Sequence, residues 1–220
     1  DGLKQQIRNT PNNARLHGLL AVAMIRSGGD PAEVAGEIAV SRKLDPRCKE
    51  ALLADAELHQ KLGKKAEAEK LFQELISVGG DGFDVRQRLG DLYAAQKQYP
   101  AAIKEYERAK LLDPDRSEPH ERLAAIYEQD KKDDDALREL AVAAELEISD
   151  DKVLTDLVER FAQKKRFKEV IRFGDMVLYL IPYREKLRAL IGEAWLGLAQ
   201  PGRALPHLQT AQKLLPETTD

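Results

Sequence analysis

Apolar residues in this chain return at helical spacing, and the helical segments themselves return at a fixed, longer interval. Leu89-Gly90-Asp91-Leu92-Tyr93 is followed 34 residues on by Leu123-Ala124-Ala125-Ile126-Tyr127, then by Leu157-Val158-Glu159-Arg160-Phe161 and by Ile191-Gly192-Glu193-Ala194-Trp195. Pro114, Pro182 and Pro216 keep the same interval or its double. Within one period the pattern predicts two helices. Val85 to Lys97 carries Leu89, Leu92, Tyr93 and Gln96 at helical spacing, and Gln98-Tyr99-Pro100 reads as a turn, with Pro100 suited to the first turn of the next helix. Ala101 to Leu112 then places Ala102, Ile103, Tyr106, Ala109 and Leu112 on one side, an amphipathic stripe. Asp113-Pro114 ends it, because the residue before a proline is pushed out of the α region. An interval of this length marks a stacked repeat array, in which no unit is large enough to fold alone.

Small residues recur inside the stripes: Gly90, Ala102 and Ala109; Ala124, Ala136 and Ala143; Gly192, Ala204 and Ala211. Large ones recur between them, as Tyr93 and Tyr106, Tyr127 and Leu140, Trp195 and Leu208. Small side chains let helix backbones approach closely while large ones fill the space beside them.

Composition agrees with helices: 33% of residues are charged and only 5% aromatic. A net charge of −3 speaks against a general nucleic-acid or anionic-membrane binder, and no apolar run approaches the ~20 residues of a membrane span. Cys48 is the sole cysteine, which excludes an internal disulfide and a cysteine-cluster metal site and favours the cytoplasm. The chain starts at Asp1 without a Met, so a removed leader, and with it a periplasmic or secreted location, stays open.

At the recurring positions the chain resembles the tetratricopeptide repeat (TPR) family, whose signature runs hydrophobic, small, aromatic, then Ala, aromatic or Leu, Ala and Pro. The units at 83–116 and 185–218 match it except at an early large apolar position, which holds Arg86 and Arg188. The unit at 117–150 has Ile148 in place of the proline. That at 151–184 is looser, with Val170 and Gly174, but keeps Pro182. The unit at 49–82 keeps Leu52, Ala56, Ala68 and Phe72, with His59 at the aromatic position. The first, 14–48, fits through Leu20, Ala21, Met24, Ile38 and Leu44-Asp45-Pro46 if one extra residue sits in the Ser27–Pro31 turn. Residues 1–13 read as the trailing helix of an earlier, truncated repeat. The resemblance implies an all-α fold: a right-handed superhelix, or α-solenoid, of about six helix-turn-helix repeats plus a leading half-repeat, forming one array over 1–220. With nothing but Glu217–Asp220 after Pro216, no capping helix is expected, so the chain reads as part of a longer protein with uncapped ends.

No catalytic, cofactor or metal constellation is expected. His17, His59, His120 and His207 are far apart in the chain, and Ser27-Gly28-Gly29-Asp30 and Gly79-Gly80-Asp81-Gly82 read as turns with no preceding strand. Asp133-Asp134-Asp135 lacks EF-hand spacing and suits a helix N-terminus, and Lys164-Lys165-Arg166 reads as a solvated turn.

The family's concave wall is formed by the second, fifth, ninth and twelfth residues of each first helix. Carried over, this implies acids at Glu50, Glu57, Asp84, Asp91, Glu118, Glu121, Glu128, Glu159 and Glu193, against bases at Arg15, Lys152 and Lys186, a net of −6. Gln60, Gln87, Arg88 and Arg122 join the expected groove. Stacked carboxylates repel one another, and a partner carrying Lys or Arg relieves that repulsion. The competing explanation for Glu50, Asp84 and Glu118 is that a carboxylate suits the first helical turn. The family's carboxylate clamp is not expected, since its Lys and Asn positions hold Gly18 and Val22, then Ala54, then Asp84 and Arg88. A second candidate surface is the apolar helix Val170 to Ile181, with Phe173, Met176 and Tyr179 as a hydrophobic patch; core packing is its competing explanation.

The function expected is a non-catalytic scaffold that binds a peptide or protein, basic or mixed in charge, without nucleic acid or membrane insertion. The alternatives are a regulatory or substrate-recruiting arm of a larger enzyme, and a scaffold that self-associates through its uncapped ends.

Overall fold

The computed structural model describes residues 2–147 and 151–214. Ile148 and Pro216, both used to set the repeat register, lie outside the described residues, as does the segment Glu217–Asp220. Among the described residues there are thirteen α-helices and no strand. After α1 (Gly2–Asn9) they pair within each repeat: α2 (Ala14–Arg26) with α3 (Pro31–Leu44), α4 (Lys49–Lys61) with α5 (Lys65–Ser77), α6 (Phe83–Ala94) with α7 (Tyr99–Leu112). Then α8 (Glu118–Gln129) pairs with α9 (Asp133–Leu146), α10 (Asp151–Gln163) with α11 (Phe167–Leu180), and α12 (Glu185–Gly197) with α13 (Pro201–Leu214). The sequence reading runs the array as one domain. Its contacts divide it into two compact units, Asp1–Pro114 and Asp115–Asp220, at the join between the 83–116 and 117–150 repeats.

The turn inside each repeat is made in one way. Gly63, Lys97, Lys131, Lys165 and Ala199 all take a left-handed backbone with φ between 56° and 72°, each 34 residues after the last. The amide of the next residue closes onto the carbonyl five positions back, as in Gln98 to Tyr93 at 2.9 Å and Gln200 to Trp195 at 2.9 Å. That closure satisfies carbonyls the helix end would leave open. It also ends α6 at Ala94, three residues before the limit expected from apolar spacing, and lets α7 begin at Tyr99 with Pro100 in its first turn. In the first repeat Gly28 holds the left-handed position and Pro31 starts α3 one residue later than its counterpart Lys65 starts α5.

Each unit has its own core. In the first, Ala21, Ile25, Val34, Ile38, Ala54 and Leu58 pack together across α2, α3 and α4. In the second, Leu157, Phe161, Val170, Phe173, Val177 and Ile191 do the same across α10, α11 and α12. The small residues serve two ends. A Cβ at Gly18 would stand 2.7 Å from the Ala51 amide nitrogen, so that glycine permits backbone approach of α2 to α4. A Cβ at Gly90 or Gly192 would instead meet the Tyr106 ring or the Leu208 side chain at 2.6 Å, so these two make room for a large partner across the helix pair.

Candidate partner-binding surfaces

In the first unit the expected groove acids are largely occupied. Glu50, half-buried, accepts from Arg15 Nε at 2.8 Å, and Asp91 accepts from the Tyr106 hydroxyl at 2.8 Å. Glu57 corrects the expectation: it is only 3% exposed and no surface acid. Its Oε1 lies 3.0 Å from Arg88 Nη2 and 3.8 Å from Arg26 Nη2, without an aligned hydrogen bond among the described residues. Arg88, expected in the groove, is thus turned to holding a buried charge on α4, the first helix of the preceding repeat. Gln60 and Gln87 are half-buried, and Gln87 Oε1 has no hydrogen-bond partner among the described residues. Asp84 stays exposed at the start of α6 with no ion-pair partner among the described residues.

The second unit repeats the theme with a different balance. Glu118 pairs with Arg116, whose guanidinium hydrogen-bonds hold its carboxyl below the usual range. Glu128 accepts from Arg160 Nη1 at 2.7 Å, and Glu159 sits 2.7 Å from Lys186 Nζ. Arg122 is exposed. Glu121 and Glu193 are exposed and have no ion-pair partner among the described residues. Among the described residues, Glu50, Glu57, Glu118, Glu128 and Glu159 are therefore ion-paired, and Asp91 is hydrogen-bonded. Counting four positions per helix overstated the field, because Arg88, Arg116 and Arg160 lie outside those positions yet reach back to the carboxylates.

Two cavities open beside these acids, of about 380 and 370 Å³. The first is bounded by Glu121, Glu147 and Ala143, the second by Glu128, Asp156 and Arg160; Leu140 and Val153 line both. They share Leu140 and Val153 and lie side by side as a furrow among α8, α9 and α10.

The apolar patch divides. Phe173 corrects the expectation, being 1% exposed and stacked on Phe161 at 5.6 Å between ring centroids. Met176 is half-buried against the same core. Tyr179 is 87% exposed, beside Leu180 and a Tyr183 that is 77% exposed. The α11 stripe is thus mainly core, and what reaches solvent is the end of the helix.

A set of buried polar pairs went unnoticed in the sequence. At the fourth residue of its repeat Arg86 donates to Glu105 Oε2 at 2.6 Å, and His120 Nδ1 lies 2.7 Å from Glu139 Oε2. His17 Nδ1 lies 2.6 Å from Glu37 Oε2 in the same way, with its Nε2 2.9 Å from the Pro11 carbonyl. Arg86 also binds Asp81, whose carboxyl it holds below the usual range, while its own guanidinium is pushed further up. The signal was legible: an Arg or His where the family has a large apolar residue, and a Glu nineteen positions on, or twenty in the repeat with the extra residue. Elsewhere Asp134 reaches Lys164 at 3.0 Å, and Gly18, Val22 and Ala54 are buried packing residues. No group of three or more metal-ligating side chains comes together among the described residues, and no described helix is long and apolar enough to cross a membrane.

Comparison with known proteins finds one sequence match, over part of the chain, and a shared fold. The sequence model of the TPR repeat matches residues 90–131. No curated protein matches the chain by sequence. Among solved structures, pilF of Pseudomonas aeruginosa superposes with a TM-score of 0.60 at 16% identity, covering 99% of this chain and 96% of its own. YrrB, a TPR protein with an unusual peptide-binding site, gives 0.57 at 15% identity over 99% of this chain and 94% of that one. MamA RS-1, as a double mutant, gives 0.53 at 16% identity over 91% and 93%. Identities at this level carry the fold.

Proposed function

We propose that this chain, a tetratricopeptide-repeat protein, is a non-catalytic scaffold that binds a peptide or protein segment of mixed or basic charge on the first helices of its repeats. The observation that carries the reading is the division among the acids. Most are neutralised by cations of their own or a neighbouring repeat, while Asp84, Glu121 and Glu193 stay in water with no ion-pair partner among the described residues. In each unit, first helices charged this way present spaced single charges, not a continuous negative field. They favour a segment with separated Lys or Arg residues, whose charges set orientation and on-rate. The peptide-binding site of YrrB, a protein of the same fold, supports the choice of ligand class.

Selection of random peptides on the purified chain tests this. Recovered peptides are expected to be enriched in Lys and Arg, and the enrichment to vanish with Asp84→Lys, Glu121→Lys and Glu193→Lys combined. Enrichment of acidic peptides, or an unchanged yield from the triple variant, overturns the reading. Glu57→Lys is unsuitable for this purpose, because it places a third cation against Arg88 and Arg26 in a buried site.

A further inference from the structure

We infer that the furrow among α8, α9 and α10 is a docking slot for one or two aliphatic side chains of a peptide whose flanking residues are lysine or arginine. This rests on the peptide-binding reading above and adds to it a place and a side-chain chemistry.

The first observation is a break in the repeat. The third residue of a repeat is sealed in the units that begin at 49, 83, 117 and 185, where Ala51, Val85, Pro119 and Leu187 are all buried. In the unit that begins at 151 the same position is Val153, and it is 51% exposed. A side chain that the period assigns to packing is here left in water, and the space it borders is the furrow. Leu140 lines the same space from α9, at the repeat position that Tyr106 fills in the preceding repeat. The two halves, about 380 and 370 Å³, are near the lower end of the roughly 300–1,000 Å³ of ligand pockets, which suits one side chain in each.

The second observation is the charge around it. Glu121, Glu147, Glu128 and Asp156 line the furrow, against Lys152 and Arg160. Arg160 is already committed, at 2.7 Å from Glu128 and 3.9 Å from Asp156. Glu147 accepts from Ser117 Oγ at 2.9 Å, and Glu121 has no ion-pair partner among the described residues. An anionic ligand meets a rim that is negative on balance, and a neutral apolar one fills the floor but leaves that balance unused. A Leu-like anchor with a cation on either side uses both, and the apolar floor lowers the local dielectric in which those cations meet the rim.

The experiment is fluorescence anisotropy on the full chain with a labelled, end-capped peptide carrying a central Leu-Leu pair between lysines. Binding is expected at low salt, weakening as salt rises. Replacing the Leu pair by Ser, or the lysines by Glu, should each cost about tenfold or more, the hallmark of an anchor. On the protein, Val153→Lys should cost about tenfold and Val153→Ser somewhat less, while Val142→Ser, on an exposed apolar residue of α9 outside the furrow, should leave affinity unchanged. Methyl resonances of Leu140 and Val153 should shift on titration. If Val153→Lys fails to fold by circular dichroism, Val153→Ser and the methyl shifts carry the decision. Failure of the Leu-Leu peptide to bind at millimolar concentration overturns the inference, as does binding indifferent to Val153. Binding that ignores Val153 but is lost in Asp84→Lys with Glu193→Lys defeats the furrow and leaves the broader reading standing. No peptide recovered in selection and no binding of this probe defeats both.

Discussion

The α2–α4–α6 side of the first unit and the α8–α9–α10 region of the second are written in the same period and packed to different ends. In the first, Ala51 and Val85 are sealed, and a glutamate expected at the surface is enclosed between two arginines. In the second, Val153 stands half in water over a furrow rimmed with carboxylates, although Phe161 and Phe173 stack tightly nearby. A repeat therefore guarantees which helix lies where, and the volume of individual side chains decides whether the joint closes.

Energetics can break that comparison. The largest expected effect is Phe173→Ala, which should cost about 3–5 kcal/mol by thermal or urea unfolding, because the ring is wholly buried against Phe161. Tyr179→Ala on the same helix should change stability by under about 0.5 kcal/mol, and equal losses would reverse the assignment of Phe173 to the core. Arg86→Met comes next, at about 3–5 kcal/mol, since Glu105 is 7% exposed and would be left buried without its cation. Val153→Ser, by contrast, should stay within about 0.5 kcal/mol of wild type, as at an exposed site; a cost near 2 kcal/mol would mean the furrow is closed in solution.

Smaller effects sharpen the picture of the turns and of the histidine pair. Ala199 holds a left-handed backbone at φ 56°, where a non-glycine residue costs about 1–2 kcal/mol, so Ala199→Gly should stabilise by about 0.5–1 kcal/mol once glycine's extra chain entropy is subtracted. No gain in melting temperature would show that the second-unit turn relaxes out of that conformation. His17 lies between two acceptors, the Glu37 carboxylate and the Pro11 carbonyl. Burial works to lower its pKa, but the hydrogen bonds outweigh burial and hold it above the ordinary histidine value. A raised folded pKa means its contribution is complete below about pH 6.5 and is lost as pH rises through the folded value. His207 runs the opposite way: burial lowers its pKa, so its contribution is lost as pH falls. The difference between wild type and His17→Gln, followed by melting temperature from pH 5.5 to 8.5, should shrink as pH rises; a constant difference would remove the imidazolium.

Legibility followed the range of the interaction. The helix pairs, the small-for-large exchanges at Gly90 and Gly192, and the turn spacing depend on neighbours within one repeat, and the period displays those neighbours directly. The fate of Glu57 depended on Arg88, 31 residues on and one step outside the positions that line the expected wall. Phe173 was ambiguous because an apolar helix looks the same whether its stripe is covered or bare. The buried pairs His17–Glu37, Arg86–Glu105 and His120–Glu139 were visible as a departure at one position, but only their second members, on the facing helix, turn a misplaced Arg or His into a buried bond.

What the amino-acid order determined alone is the local architecture: tandem helix pairs joined by short turns and repeated at a near-constant interval. Backbone propensity and stripe periodicity act over a few turns, and they leave little choice there. Which carboxylates remain in water, and that one joint stays open beside Val153, was settled by the tertiary structure. Side-chain reach and residual volume are properties of the assembled interface, and a neighbouring arginine is enough to change which carboxylate meets water.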